Sequence, residues 1–280
     1  MKRTGGKVWF TLVCAGFFLG ANLEVSRGSV NFVFSNTNFI TINDSANALT
    51  EAAPYPSANV VTGLAGRVVT KATVTLQGLS HTFPSDVSIL LVGPQGQMAI
   101  LMSEVGGQQK YSVTNLTLTL DDNATNSLPV YTTLTSGTFK PTDGYLLLGY
   151  PVFPYDFPLP APPGNSNSVS ALSVFNNVDP DGTWNLFVLC DAAGTDTGSL
   201  SRGWSLNLSV AVPLHIVRSG TNVVVSWPAS VTNGLLQLSP VLSSSITWSN
   251  VVTTPIPSAG QLTVTNPISG ANAFYRLVTN

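Results

Sequence analysis

An all-β fold follows from three features of this sequence. Charged residues make up only 9% of the chain, where soluble domains average about 25%, while hydrophobic residues reach 44%. Twenty-four Gly and nineteen Pro accompany abundant Ser, Thr, Asn and Val, the residues of turns and strands. Apolar and polar residues alternate over many short runs, and no window of helical length carries a capped apolar stripe. The expected architecture is a β-sandwich.

The first residues read as a leader. Lys2, Arg3 and Lys7 precede the apolar run Val8–Leu19, and the small residues Gly20 and Ala21 follow. This is the pattern of a cleavable signal peptide over residues 1–21, and it predicts a secreted protein. The run is shorter than the about 20 residues a membrane-spanning helix needs. With Cys14 lost in the leader, Cys190 is the only cysteine, so no internal disulfide is available and the core must hold the fold. Cys190 continues the period-two series Trp184, Leu186, Val188, which predicts a small buried strand residue rather than a reactive thiol.

Strands follow in order. Ala72, Val74 and Leu76 alternate with threonines, as do Leu116, Leu118 and Leu120. Val87–Val92 and Met98–Met102 are almost wholly apolar and flank the turn Gly93-Pro94-Gln95-Gly96, predicting a hairpin covered on both faces. Between Tyr150 and Asn167, six prolines interleaved with aromatics exclude a central strand and predict a long loop that packs Phe153, Tyr155 and Phe157 on the sandwich. Trp184 and Trp204 each head an alternating apolar run and are expected as core anchors. A boundary near Val212-Pro213 separates residues 30–212 from a small β-module over 213–280.

Chemistry is sparse. Eleven Lys+Arg against thirteen Asp+Glu give a charge of −2, too few cations for a nucleic-acid reader. The two histidines, His81 and His215, lie in no hydrolase motif, and no G-x-S-x-G occurs. Asp196-Thr197-Gly198-Ser199 resembles an aspartic-protease tetrapeptide, but no second copy exists to share the proton. No catalytic residue is assigned. Acidic turns at Asp121-Asp122, at Asp179-Pro180-Asp181 and at Asp191 with Asp196 could hold a hard cation. Asp191 and Asp196 are the preferred candidate ligands, with calcium the expected ion.

Ordered blocks carry a family resemblance. They are Pro54–Ser57, Val69–Asp86, Ile89–Pro94, Leu101–Ser103, Ser136–Pro141, Phe175–Trp184 and Asp191–Leu206. Together they resemble the P domain (Homo B domain) of subtilisin/kexin-type proprotein convertases in its bacterial form. The resemblance implies a galactose-binding-like jelly roll which, in that family, follows a serine endopeptidase domain and supports its folding, stability and calcium dependence. The endopeptidase's own Asp, His and Ser blocks are missing from this sequence, so the resemblance implies an accessory module and no enzyme. The tail, with Trp227-Pro228 and Phe274–Val278, is similar to a small fibronectin-III-like module. The expected partner of the monomer is a separately encoded protease. The alternative is an adhesin that binds a surface glycan or protein, with Tyr150–Phe157 as its platform.

Overall fold

The computed structural model describes residues 8–9, 29–45, 49–107, 111–149, 156–165, 168–192, 194–241, 247–268 and 273–279. The strands run β1 (Val8–Trp9), β2 (Val30–Asn36), β3 (Ile40–Asn43), β4 (Thr50–Glu51), β5 (Ser57–Val61), β6 (Val68–His81) and β7 (Val87–Val92). Next come β8 (Met98–Ser103), β9 (Val113–Leu120), β10 (Gly137–Phe139), β11 (Thr142–Asp143), β12 (Gly182–Cys190), β13 (Thr197–Leu200) and β14 (Trp204–Ala211). The last are β15 (His215–Ser219), β16 (Asn222–Pro228), β17 (Leu235–Ser239), β18 (Ser249–Asn250), β19 (Ile256–Ser258), β20 (Gln261–Pro267) and β21 (Phe274–Thr279). One four-residue helix, α1 (Gly144–Leu147), begins at Asp143, whose side chain accepts from Tyr145 N. The fold is all-β, and no helix among the described residues is long and apolar enough to cross a membrane. The leader expected over residues 1–21 lies outside the described residues except for Val8 and Trp9, which pair with Thr279 and Val278.

Two compact units divide the chain. The larger comprises Phe32–Gly63 and Lys71–Leu208. Its strands belong to two sheets: β10-β9-β6-β13-β3, with β14 joining β6 to β2, and β11-β8-β7-β12, with β4 and β5 along β12. Most pairs are antiparallel; β10 with β9 and β11 with β8 are parallel. Period-two patterning turns Trp184, Leu186, Val188 and Cys190 inward, all within 1% of full burial. Trp204, Leu206 and Leu208 are likewise fully buried, and Trp204 Nε1 reaches across to Ser57 Oγ at 3.0 Å.

The apolar hairpin forms as its sequence predicts. β7 is buried at every position and pairs with β8 across the Gly93–Gly96 turn, which Gly93 N closes on Gln97 O at 2.8 Å. Leu90, Val92, Ile100, Phe187 and Leu189 make a second apolar face, which Phe157 and Ala161 cover. This covering explains the uninterrupted apolar runs: both faces of the sheet exclude water. Phe157 is 2% exposed, so it is a packing residue and not part of a glycan platform. Residues 150–155, the rest of that expected platform, lie outside the described residues.

The second unit comprises Met1–Asn31, Leu64–Thr70 and Ser209–Asn280. Its sheets β15-β16-β20-β19 and β1-β21-β17-β18 enclose a core of Val223, Val225, Trp227, Leu236, Val264, Tyr275 and Leu277. Trp227 Nε1 donates to Val231 O at 3.4 Å, which satisfies its one polar atom inside the core.

Candidate metal centre

Three chain segments meet at one end of the larger unit. The first is the end of β3 at Asp44. The second is the turn from His81 through the 3-10 segment Pro84–Asp86. The third is the stretch from Cys190 to Thr197 between β12 and β13. Backbone bonds fix the meeting: Asp44 N donates to Asp196 O at 2.9 Å, Asp191 N to Asp86 O at 2.8 Å and Gly194 N to Ser45 O at 3.1 Å. Thr82 clasps the last stretch from the other side. Its N–H donates to Thr197 O and its hydroxyl to Asp196 Oδ1 at 2.7 Å, while Thr197 N donates to the same hydroxyl.

The result is a group of carboxylates. Oxygens of Asp44, Asp86 and Asp196 lie within 4.8 Å of one another, with Asp86 and Asp196 buried. Oxygens gathered this closely are near enough to be considered as ligands of one ion. The all-oxygen donor set suits a hard cation. Asp196, one of the two expected ligands, lies in this group, where its companions are Asp44 and Asp86. Asp191, the other expected ligand, belongs to neither close group and accepts from Ser88 Oγ at 2.7 Å. Burial, with Glu104 and Asp86 adding to it, pushes the Asp191 carboxyl up to about 8, while the Ser88 bond opposes the shift.

Asp44, His81 and Cys190 form a second close group. Its composition is that of a zinc site or a thiol triad, but its hydrogen bonding suits neither. Phe83 N donates to His81 Nδ1 at 3.1 Å, which leaves the proton on Nε2, the nitrogen that faces Cys190 Sγ at 3.9 Å. A zinc-ligating imidazole needs a lone pair toward the metal and a donor on its other nitrogen. A general base needs the same lone pair toward the thiol. Burial also holds His81 below the ordinary histidine value. Cys190 is fully buried and donates to Asp44 Oδ1; burial first, then Asp44, push its thiol far up, away from the reactive thiolate.

The tetrapeptide Asp196–Ser199 has a packing explanation. A Cβ on Gly198 would lie 2.3 Å from His81 Cδ2 and 2.3 Å from Ser80 O, so only glycine lets β13 approach β6 here. The other acidic turns hold backbone. Asp122 accepts from Leu172 N and Ser173 N, Asp121 accepts from Lys71 Nζ and Asn123 N, and Asp179 accepts from Asp181 N.

No protein-family model matches the chain, and no curated protein matches it. Among solved structures it is similar to the serine protease of Aeromonas sobria, with a TM-score of 0.20 and 12% identity over 94% of this chain. It is also similar to the complex of that protease with its chaperone, with a TM-score of 0.18 and 11% identity over 99% of this chain. The chain spans 29% and 37% of those two chains.

Proposed function

We propose that this protein is a secreted, non-catalytic module of the P-domain kind that binds calcium and supports a separately encoded subtilisin-like protease. One observation carries the reading: residues from separate blocks of the resemblance converge on the acidic cluster. His81, Asp86, Asp196 and Gly198 come from blocks far apart in sequence and meet there. Asp44, Asp86 and Asp196 would hold the ion, whose charge would offset the repulsion of three gathered carboxylates. Asp44 N and Asp196 N lace the first and third segments together around that point.

The same residues support reading the role as accessory rather than catalytic. The Nε2–H of His81 is a donor, and Cys190 is fully buried. The test is the thermal inactivation half-life of a subtilisin-like protease that lacks its own accessory domain, with and without this chain. The half-life is expected to lengthen several-fold in calcium and to return to its starting value in chelator. The chain alone should hydrolyse no peptide. An unchanged half-life in calcium overturns the partnership.

A further inference from the structure

The smaller unit contains a position where the chain can modify itself. β16 ends at Pro228 and β17 begins at Leu235, and the connection between them holds Asn233-Gly234, the single Asn-Gly pair of the sequence. Asn233 is exposed in a turn, and Gly234 is half-buried. An asparagine amide is attacked by the backbone nitrogen of the next residue, which closes a five-membered ring. A side chain on that next residue obstructs the closure, and glycine has none.

Other asparagines are held or flanked differently. Asn165 is buried and spends its side chain on Phe157 and Pro162. Asn126 is exposed, but Ser127 follows it and pairs with Lys140, while the Asn126 carbonyl accepts from Lys140 N at 2.8 Å. Asn115 is exposed and precedes Leu116 within β9.

The packing at Gly234 shows what a change there would disturb. A Cβ on Gly234 would lie 3.0 Å from Leu277 Cδ2, so the main chain at this point rests on a core residue. One residue further, Leu235 opens the ladder to β21 opposite Val278, and Leu236 enters the same core. Residues 209–280 contain no Asp and no Glu, so a carboxylate made at position 233 would be the first in that stretch.

We propose that Asn233 deamidates in the folded protein and that the isoaspartate so formed loosens β17 from β21. Hydroxide takes the Gly234 N–H proton, the nitrogen bonds to Asn233 Cγ, and the Cγ–Nδ2 bond breaks as Nδ2 gains a proton and leaves as ammonia. Water then opens the succinimide at one of its two carbonyls, giving aspartate or isoaspartate. In isoaspartate the main chain runs through Cβ and Cγ and is one carbon longer, just before a strand whose register decides which side chains are buried. This site depends on neither the acidic cluster nor the partnership with a protease.

The test ages the purified chain in mildly alkaline buffer, folded and in denaturant, and maps its peptides by mass and by isoaspartyl methylation. The Asn233 peptide is expected to gain acid and isoaspartate several-fold faster than any other asparagine peptide of the folded chain, at a rate within a few-fold of that in denaturant. The aged chain should melt lower than the fresh one. Asn233→Gln, an exposed change, should start at the wild-type melting temperature and keep it through ageing. Fresh Asn233→Asp, which carries the charge without the extra carbon, should melt close to wild type. An amide retained at 233 in the folded chain, equal deamidation at other asparagines, or an aged wild type that melts no lower than aged Asn233→Gln overturns the proposal. So does a fresh Asn233→Asp chain that melts as low as the aged wild type, since charge and not chain length would then be the cause.

Discussion

Gly198 and His81 occupy space that neither could share with a larger neighbour. Since a Cβ at position 198 would meet a backbone oxygen at 2.3 Å, the strand cannot yield by rotating a side chain. Gly198→Ala is therefore expected to cost about 1–3 kcal/mol, the usual range for overpacking, read as a lowered denaturation midpoint. Asp191 makes a second prediction at this scale. Burial pushes its carboxyl up to about 8 in the folded protein, from the ordinary aspartate value of 3.8. Between those values the folded state keeps a proton that the unfolded state has lost, so stability falls as pH rises through that window. The slope is at most about 1.4 kcal/mol per pH unit, and it vanishes above pH 8. Asp191→Asn should flatten the profile measured in chelator between pH 5 and 8. A wild-type profile already as flat as the variant's contradicts the assignment.

Asn165 holds the loop that covers the outer face of the hairpin sheet. Its side chain accepts from Phe157 N at 2.7 Å and donates to Phe157 O and Pro162 O, and it is 1% exposed. Asn165→Ala strips partners from three backbone groups, each worth about 1–3 kcal/mol when buried without one. Faster proteolytic nicking near residues 156–165 is the expected readout; an unaltered cleavage pattern argues against this role. The hairpin and the two tryptophan runs were legible in the sequence because a period-two or unbroken apolar pattern states which faces are buried. The acidic cluster was only half legible. Asp196 drew notice through its turn, but Asp44 lies 152 residues away in an unremarkable Asn-Asp-Ser stretch. Nothing local marks a carboxylate whose companions arrive by strand pairing. The tautomer of His81 was equally hidden, since it depends on the backbone N–H of Phe83.

The whole molecule relies on packing, with very little charge pairing. Among the described residues one ion pair stands out, Lys71 Nζ to Asp121 Oδ2 at 2.7 Å, and it is partly exposed. Burial of apolar side chains must carry most of the stability. Trp204→Ala removes a fully buried ring and leaves Ser57 Oγ without its indole donor, a loss of about 3–5 kcal/mol. That is a large share of a domain's usual margin of about 5–15 kcal/mol, so the variant should melt far lower or fail to fold. Against this background a bound cation would be the largest single electrostatic contribution in the larger unit. Thermal unfolding of the purified chain in calcium and in chelator, for wild type and for Asp44→Asn, tests that claim most directly. The account predicts that calcium at a hundredfold its dissociation constant adds about 2.7 kcal/mol to the wild type and almost nothing to Asp44→Asn. A wild-type melting temperature that calcium and chelator leave unmoved, with both chains folded, would contradict it.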